Sequence, residues 1–500
     1  MDLLPRLEYF YVMKHFQNRV RSTRTSAIVL SAATLLVTAC SLPQQARAPV
    51  APVAAQWQAP LPHQGDTRTL QQWWQAQADP SLVRLQEAAQ GASPNLSLAL
   101  SAIAQARASS ASARATLLPQ VGAGVSLSRG ESQPDMGVTS TAAASLQASW
   151  EIDLVGANQL VKDGALAQLQ SSQAQWHDAR VALAAEVAHA YYGARACQPL
   201  AENVRAISQS HDESARLYGQ LLAAGMVPAA NLAMARSAAA DARSRWLEQS
   251  AQCDLGIKAL VALSALPEAQ VRGLVREGSA AQEAPAVALP SLPAQTIAQR
   301  PDVFAAERDV FKAAALVAGA QAQRWPRLTI NGSIGPAQFG IGGVDKNLTT
   351  WSLGPVSLQV PVFDAGQRQA NIEAAQSNFD SKVAMYQARV RAAVREVEEA
   401  LVQLQLNADR SEQAQRSHNN AKQVLDVVLA RQRQGMATGL EVQDARRGLL
   451  AADGQRIGLQ WESRRAWVAL YRAAGGGWDS TSAGFGPATV LQPAPNETNP

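Results

Sequence analysis

Gly435-Met436-Ala437-Thr438-Gly439-Leu440-Glu441-Val442-Gln443-Asp444-Ala445-Arg446 has a counterpart 210 residues earlier, in Gly225-Met226-Val227-Pro228-Ala229-Ala230-Asn231-Leu232-Ala233-Met234-Ala235-Arg236. The same shift of 210 lays Gly156 on Gly366 and Glu186-Val187 on Glu396-Val397. Upstream, a shift of 207 lays Pro94 on Pro301 and Pro119 on Pro326, so the second copy carries three extra residues between Pro326 and Gly366. A unit this long is no ordinary solenoid repeat. It is a large supersecondary block used twice.

Working outward from the paired glycines, each block is expected to run helix, strand pair, very long helix, tight turn, helix. The long helices are placed at about 156–223 and about 366–434, read as unbroken by proline, and each is roughly 100 Å long at 1.5 Å per residue. Val383, Tyr386, Val390, Val394, Val397, Leu401 and Leu404 recur at spacings close to a heptad seam. The Gly225-Met226 and Gly435-Met436 pairs break these helices, so each is the tip of a helical hairpin, over about 224–230 and about 435–439. Ser93-Pro94-Asn95 and Arg300-Pro301-Asp302 start the helices that precede the strands, since proline at the first helical position forgoes an N–H that has no partner there.

After Pro119 and Pro326 the period changes to two. Val121, Ala123, Val125 and Leu127, then Leu146, Ala148, Trp150, Ile152 and Leu154, alternate with small and polar residues. In the second copy Leu328, Ile330 and Ile334, then Val356, Leu358, Val360 and Val362, do the same. This predicts strand pairs over about 119–154 and about 326–363. Such segments suit tilted membrane β-strands, and they suit a soluble half-buried sheet equally.

The N-terminus decides between the two. Lys14, Arg19, Arg21 and Arg24 precede a short apolar stretch, Ala27 to Val37, and Val37-Thr38-Ala39-Cys40 closes it. This is a secretory signal over 1–39, too short to span a bilayer. It resembles the bacterial lipobox, in which Cys40 receives the lipid, and Ser41 in place of an aspartate points to outer-membrane sorting. The covalent lipid is the only added group expected; no cofactor or metal is. Removal of the signal, with its five Lys/Arg and two Asp/Glu, takes the formal net charge from +4 to +1, and nucleic acid is not implied as a partner. Four strands cannot close a membrane barrel, because every backbone group in lipid must be paired. The chain is therefore expected to share its strands with further copies, eight from a dimer or twelve from a trimer.

Residues 40–65, rich in Pro, Ala and Gln, read as a lipid-anchored linker. Repeat 1 covers 66–263, a Pro- and Gly-punctuated equatorial excursion 264–296, repeat 2 297–478 and a disordered tail 479–500. Cys197 and Cys253 lie symmetrically about Gly225 and would sit level on the two arms of a hairpin; a disulfide and two packed thiols are both open. The second repeat has Asn407 and Ser463 there. No HExxH, GxxxxGK(S/T), CxxC or serine elbow is present, and His177, His189 and His211 are scattered along one helix, so no enzyme is read.

Several residues together resemble the TolC-like outer-membrane factors, in the lipoprotein efflux branch often called NodT or OprM type. They are Trp73-Trp74 with Asp79-Pro80, Arg300-Pro301-Asp302 with Ala305-Ala306-Glu307, Pro361-Val362-Phe363-Asp364-Ala365-Gly366, and Gly475-Gly476-Gly477-Trp478. The resemblance implies a mainly α fold with a small β part: a homotrimer whose twelve-stranded outer-membrane barrel continues as a periplasmic α-helical barrel. It implies a duct that passes small molecules out of the cell, docked to a periplasmic adaptor protein that is fed by an inner-membrane transporter. Gly225, Met226 and Val227 and Gly435, Met436 and Ala437 would contact the adaptor, with Met where relatives have Leu. Glu441 and Asp444 match acidic positions at the periplasmic aperture, where carboxylates from three chains would raise one another's pKa. Asn231 and Ala437 depart from the family, which puts a salt-bridge lock there in doubt. A type I protein-secretion channel and a lipid-anchored coiled-coil scaffold are the alternatives.

Cys40→Ser should abolish incorporation of labelled palmitate and leave the signal uncleaved; a variant that is labelled and processed like the wild type contradicts the lipobox reading.

Overall fold

In both copies proline and glycine set the element boundaries, and the computed structural model follows them over the residues it describes, 57–59, 79–131, 138–278, 293–341 and 344–478. The elements are α1 (Pro80–Ala92), α2 (Pro94–Ala115), β1 (Gln120–Gly130), β2 (Thr139–Ile152), α3 (Ala157–Ala223), α4 (Ala229–Ser264), α5 (Glu268–Glu277), α6 (Pro293–Ala298), α7 (Pro301–Ala322), β3 (Arg327–Ile341), β4 (Val344–Gln359), α8 (Gln367–Arg433) and α9 (Gly439–Ala473). Among the described residues they fall into two units. One holds Ser109–Leu166 and Phe311–Phe379; the other holds Ala167–Val310 and the described parts of 48–108 and 380–500. The signal, Cys40, Trp73-Trp74 and the tail lie outside the described residues.

The first unit carries one antiparallel four-stranded sheet in the order β1-β2-β3-β4. Its registers sort the side chains cleanly. Ala123 pairs with Leu146, Leu146 with Ile334, and Ile334 with Trp351; the next row on the same face is Val121, Ala148, Gly332 and Leu353. Further along, Trp150, Ile330 and Val356 line up, then Ile152, Leu328 and Leu358. The opposite face carries Gly122, Gln147, Ser333 and Ser352, with the two serine hydroxyls 2.8 Å apart. Over these rows one face is thus apolar, and it is exposed in the single chain: Val125 is 79% accessible and Leu353 83%.

Two details depart from the sequence expectation. An irregularity between Ile330 and Gly332 puts one extra residue into β4, which reverses its parity. Leu353 and Trp351 thereby join Val356 and Leu358 on the apolar face, although simple alternation would send them to the other. Strand pairing also ends at Gln359, short of the expected 363, because Pro361 offers no N–H to a ladder. Val362 and Phe363 follow as extended chain, both about nine-tenths exposed.

The second unit is helical. Its core joins Leu82 and Leu85 of α1, Val187 and Tyr191 of α3, Leu260 of α4, Val271 of α5, Leu401 of α8 and Leu470 of α9. The expected heptad seam of α8 is what α8 contributes here, with Tyr386, Val390, Val397 and Leu401 all buried. Both long helices run 67 residues. The first is not free of proline: Pro199 lies inside α3, on its exposed face, where the freed Arg195 carbonyl can turn to water. Three further segments carry structure that the sequence pattern does not mark. Residues 80–92 form a helix of their own, capped by Asp79, whose carboxylate accepts from Ser81 N at 3.2 Å. The excursion contains α5, an amphipathic helix that buries Val271, Leu274 and Val275 and pairs Arg272 with Asp254 at 2.7 Å. Within the linker, Trp57 and Ala59 are buried in the core, and the N–H groups of Gln58 and Ala59 donate to the two oxygens of Glu398 at 2.7 and 2.8 Å.

Cys197 of α3 and Cys253 of α4 form a disulfide, with Cα atoms 5.4 Å apart. It encloses the first hairpin tip, whereas Asn407 and Ser463 leave the second hairpin without one. Replacing both cysteines by serine should lower stability by roughly 2–4 kcal/mol, read as earlier loss of the 222 nm signal on heating. Unchanged melting of the double variant, with reduced wild type also unchanged, would show the bond contributes nothing.

Candidate functional site: the hairpin tips and the seam beneath them

Each tip is built by a glycine in left-handed conformation. Gly225 has φ +71° and Gly435 φ +74°, values that a Cβ strongly disfavours. Gly225 N donates to Leu222 O and Met226 N to Leu221 O, and the second tip repeats this with Gly435 to Gln432 and Met436 to Arg431. This paired closure satisfies the last carbonyls of α3 and α8 and turns the chain within two residues. Met226 and Met436 are left 72% and 58% exposed, flexible apolar knobs on a polar surroundings. Val227 and Ala437 follow them, before Pro228 and Thr438 open the return helices.

There the two tips diverge. Pro228 gives α4 no side-chain cap. Thr438 caps α9 by accepting from Glu441 N at 3.2 Å, while Thr438 N donates to Glu441 Oε2 at 2.6 Å. Arg431 adds a bond from Nη2 to Met436 O at 3.1 Å, where the first repeat has Leu221. The second tip is therefore tied down by side chains and the first by backbone alone. Within the single chain the Thr438 N–H holds the Glu441 carboxyl below the usual carboxylate range. Asp444 does not meet Glu441; it pairs with Arg447 one turn on.

Arg447 leads to a feature that sequence reading missed. Its Nη1 donates to Ser214 Oγ at 2.9 Å and to Ser210 Oγ at 3.1 Å, and Ser210 Oγ donates to Gln443 Oε1 at 2.9 Å. Ser210, Ser214 and Gln443 are buried. Further along, Asn203 Nδ2 donates to Leu450 O at 3.0 Å, and toward the tip Leu217 lies against Gly439, where even a Cβ would approach its Cδ1 to 3.1 Å. These contacts make a polar seam between α3 of the first hairpin and α9 of the second. Serines and glutamines at helical spacing look like solvated surface in a sequence, so only the spacing of Ser210 and Ser214 could have hinted at it.

The other signature residues turn out to be structural. Arg300 forms a bidentate pair with Asp302 (3.0 and 2.8 Å), reaches Glu396 Oε2 at 2.7 Å, and donates to Ala473 O at 2.9 Å. Burial works against the Arg300 charge, but Asp302 and Glu396 more than offset it and keep it protonated. Burial would raise Asp302, yet Arg300 and Arg389 hold it below the ordinary range. Asp178, facing the same cluster, is pushed up by burial and by Asp302. The network ties the start of α7 to α8 and to the turn that ends α9, where Trp478 packs on Phe304 with centroids 5.3 Å apart. Glu307 is buried beside Arg308, at 3.0 Å. Asp79, besides capping α1, accepts from Tyr191 OH at 2.7 Å. No three His, Cys, Asp or Glu among the described residues could hold a metal ion.

With this geometry in hand, comparison with known proteins is specific. The family model described as outer membrane efflux protein matches residues 85–265 and 292–476, one segment per repeat. The outer membrane protein OprJ of Pseudomonas aeruginosa is 30% identical over 468 residues, covering 91% of this chain and 97% of its own. The pyoverdine export outer membrane protein OpmQ of Pseudomonas putida is 31% identical over 469 residues, covering 90% and 97%. Among solved structures, the CmeC outer membrane channel of Campylobacter jejuni shares the fold, with a TM-score of 0.76 at 20% identity over 89% of this chain and 97% of its own.

Thr438→Ala should raise amide exchange over the first turn of α9 roughly five-fold, as loss of a helix cap does, while the turn after Pro228 is unaffected. Equal protection of both forms by hydrogen–deuterium exchange contradicts the capping role.

Proposed function

The chain belongs to the outer membrane efflux protein family, and we propose that three copies of it form the exit duct of a tripartite efflux pump. It resides in the outer membrane, as the family does. The observation that carries the three-copy reading is the four-stranded sheet: its apolar face is exposed and its outer strands β1 and β4 each present one unpaired edge. In hydrocarbon an open edge is excluded. Joining β4 of one copy to β1 of the next closes the edges, and three copies give twelve strands with the apolar face toward lipid and the Ser/Gly/Gln face toward water. Lipid on Cys40 anchors each copy to the same membrane.

The tips are the docking points for a periplasmic adaptor protein, which joins the duct to an inner-membrane transporter. Met226 and Met436 supply exposed apolar contact on otherwise polar turns. The cargo is small molecules selected upstream. Relatives are described by their names as exporting pyoverdine, as an antibiotic efflux pump protein and as a toluene efflux pump protein, a range consistent with a duct that discriminates little. The protein has no chemical step to perform.

Purified protein added to planar bilayers should give discrete conductance steps that are lost after heat dissociation. Deleting the gene should lower the tolerated concentration of at least one class of dye, antibiotic, solvent or aromatic acid several-fold. A protein that never conducts, together with a deletion strain that loses only a secreted protein, would contradict the efflux reading.

A further inference from the structure

Between the Arg300 network and the tips, α3, α8 and α9 line a cleft of about 960 Å³ to which the efflux reading gives no task. Its side chains sort by level. His189 of α3 and Trp461 of α9 face one another with ring centroids 6.0 Å apart. Since α3 runs toward the tips and α9 away from them, Glu186 and Arg465 both lie about one turn from this ring pair, on the same side of it. The ion pair of Arg410 with Glu462, at 2.7 Å, holds α8 level with Trp461, and Asn407 lies one turn from Arg410.

Most charges in the cleft are already engaged. Glu396 pairs with Arg300, Glu462 with Arg410 and Glu399 with Arg395, while Arg472 at the far end acts on Asp178. Glu186 and Arg465 are exposed and form no ion pair with each other or with any other described residue. Arg465 rests over the Trp461 ring, 5.8 Å from its centroid. Asn407 is only 3% exposed, and its Oδ1 is buried without a hydrogen-bond partner, a costly state for an acceptor. Burial and the charge of Arg465 hold His189 below the ordinary histidine range, so its ring is neutral at pH 7. A helical hairpin does not itself call for this set: at the positions of Asn407, Trp461 and Arg465 the first repeat has Cys197, Ala251 and Leu255.

We propose that this cleft binds a planar aromatic zwitterion: a flat ring with a ring N–H, carrying an ammonium and a carboxylate on one short arm. The ring lies against His189 and Trp461, and its N–H donates to Asn407 Oδ1. The ammonium pairs with Glu186 and the carboxylate with Arg465, one turn beyond the rings. Opposite charges at one level beside an aromatic pair match such a molecule better than a simple cation or a simple anion, each of which leaves one of the two charges unmet. A concave site of this volume with a few convergent polar groups is the usual form of a small-molecule site. One chain builds the whole cleft, so the proposal does not rest on the number of copies in the duct.

L-Tryptophan is the probe, measured by equilibrium dialysis of the labelled amino acid against the full chain in detergent, with protein-free micelles as the blank. Binding should saturate at one molecule per chain. It should be roughly five-fold or more tighter than that of tryptamine, which lacks the carboxylate, or of indole-3-propionate, which lacks the amine. Glu186→Gln should weaken tryptophan by roughly the same factor and leave indole-3-propionate unchanged, whereas Arg465→Gln should weaken it and leave tryptamine unchanged. Asn407→Leu should remove the preference for tryptophan over its ring-N-methyl derivative. Ala469→Trp fills the cleft without touching a charge and should abolish binding; with the analogue series on the wild type, it keeps the test decisive where a charge variant does not fold. Absence of saturable binding to the folded wild type, equal binding of tryptophan, tryptamine and indole-3-propionate, or binding that survives Ala469→Trp overturns the proposal.

Discussion

The structure depends on one constraint, the obligation of every backbone N–H and C=O in hydrocarbon to find a partner. Four strands meet it internally at three ladders and fail it at two edges. Everything else about the sheet accords with that incompleteness. The registers place Val121, Leu146, Ile334 and Trp351 on one face and Gly122, Gln147, Ser333 and Ser352 on the other. In water such a sheet would expose a large apolar surface and two templates for aggregation. In an outer membrane the same features are what a shared barrel requires.

The helical unit solves a different problem. Helices that surround a water-filled passage cannot bury an apolar stripe on every side, so much of their contact has to be made by polar groups. The core near Tyr191, Leu260 and Leu401 is apolar, and the Arg300–Asp302–Glu396 network fastens the signature segment to it. A buried pair of this kind adds little net stability over an apolar replacement, but loss of one partner strands the other charge. Nearer the tips, hydroxyl and amide groups take over. Ser210, Ser214, Asn203, Gln443 and Arg447 hold α3 to α9 through bonds that can be exchanged for water at modest cost. Attachment is firm near the core and replaceable near the tips.

Much of this was legible in the sequence, for physical reasons. The repeat, the helix starts at Pro94 and Pro301, the glycine tips and the alternation in the strands each follow from a local rule, and the comparisons bear out the family and the fold. The failures are equally local. Leu353 and Trp351 change face because one extra residue enters β4, and no pattern of period two encodes a bulge. Pro199 was overlooked inside a helix long enough to absorb it. The segment around Trp57 looks like linker because Glu398, which the N–H groups of Gln58 and Ala59 bind, lies 340 and 339 residues away. The capping role of Glu441 within its own chain was legible too, since a Thr three residues before a Glu at a helix start marks a capping box. The seam at Arg447 left only the spacing of Ser210 and Ser214 as a hint, since serines at helical spacing otherwise look like solvated ones.

The claim on which the account stands is that the sheet is completed by further copies. The most direct measurement is the protein mass of the unheated, detergent-solubilised particle by light scattering with the detergent contribution removed. The account predicts three times the mass of the processed chain, collapsing to a single chain on heating with loss of strand signal. A stable, strand-containing particle of one chain would contradict it.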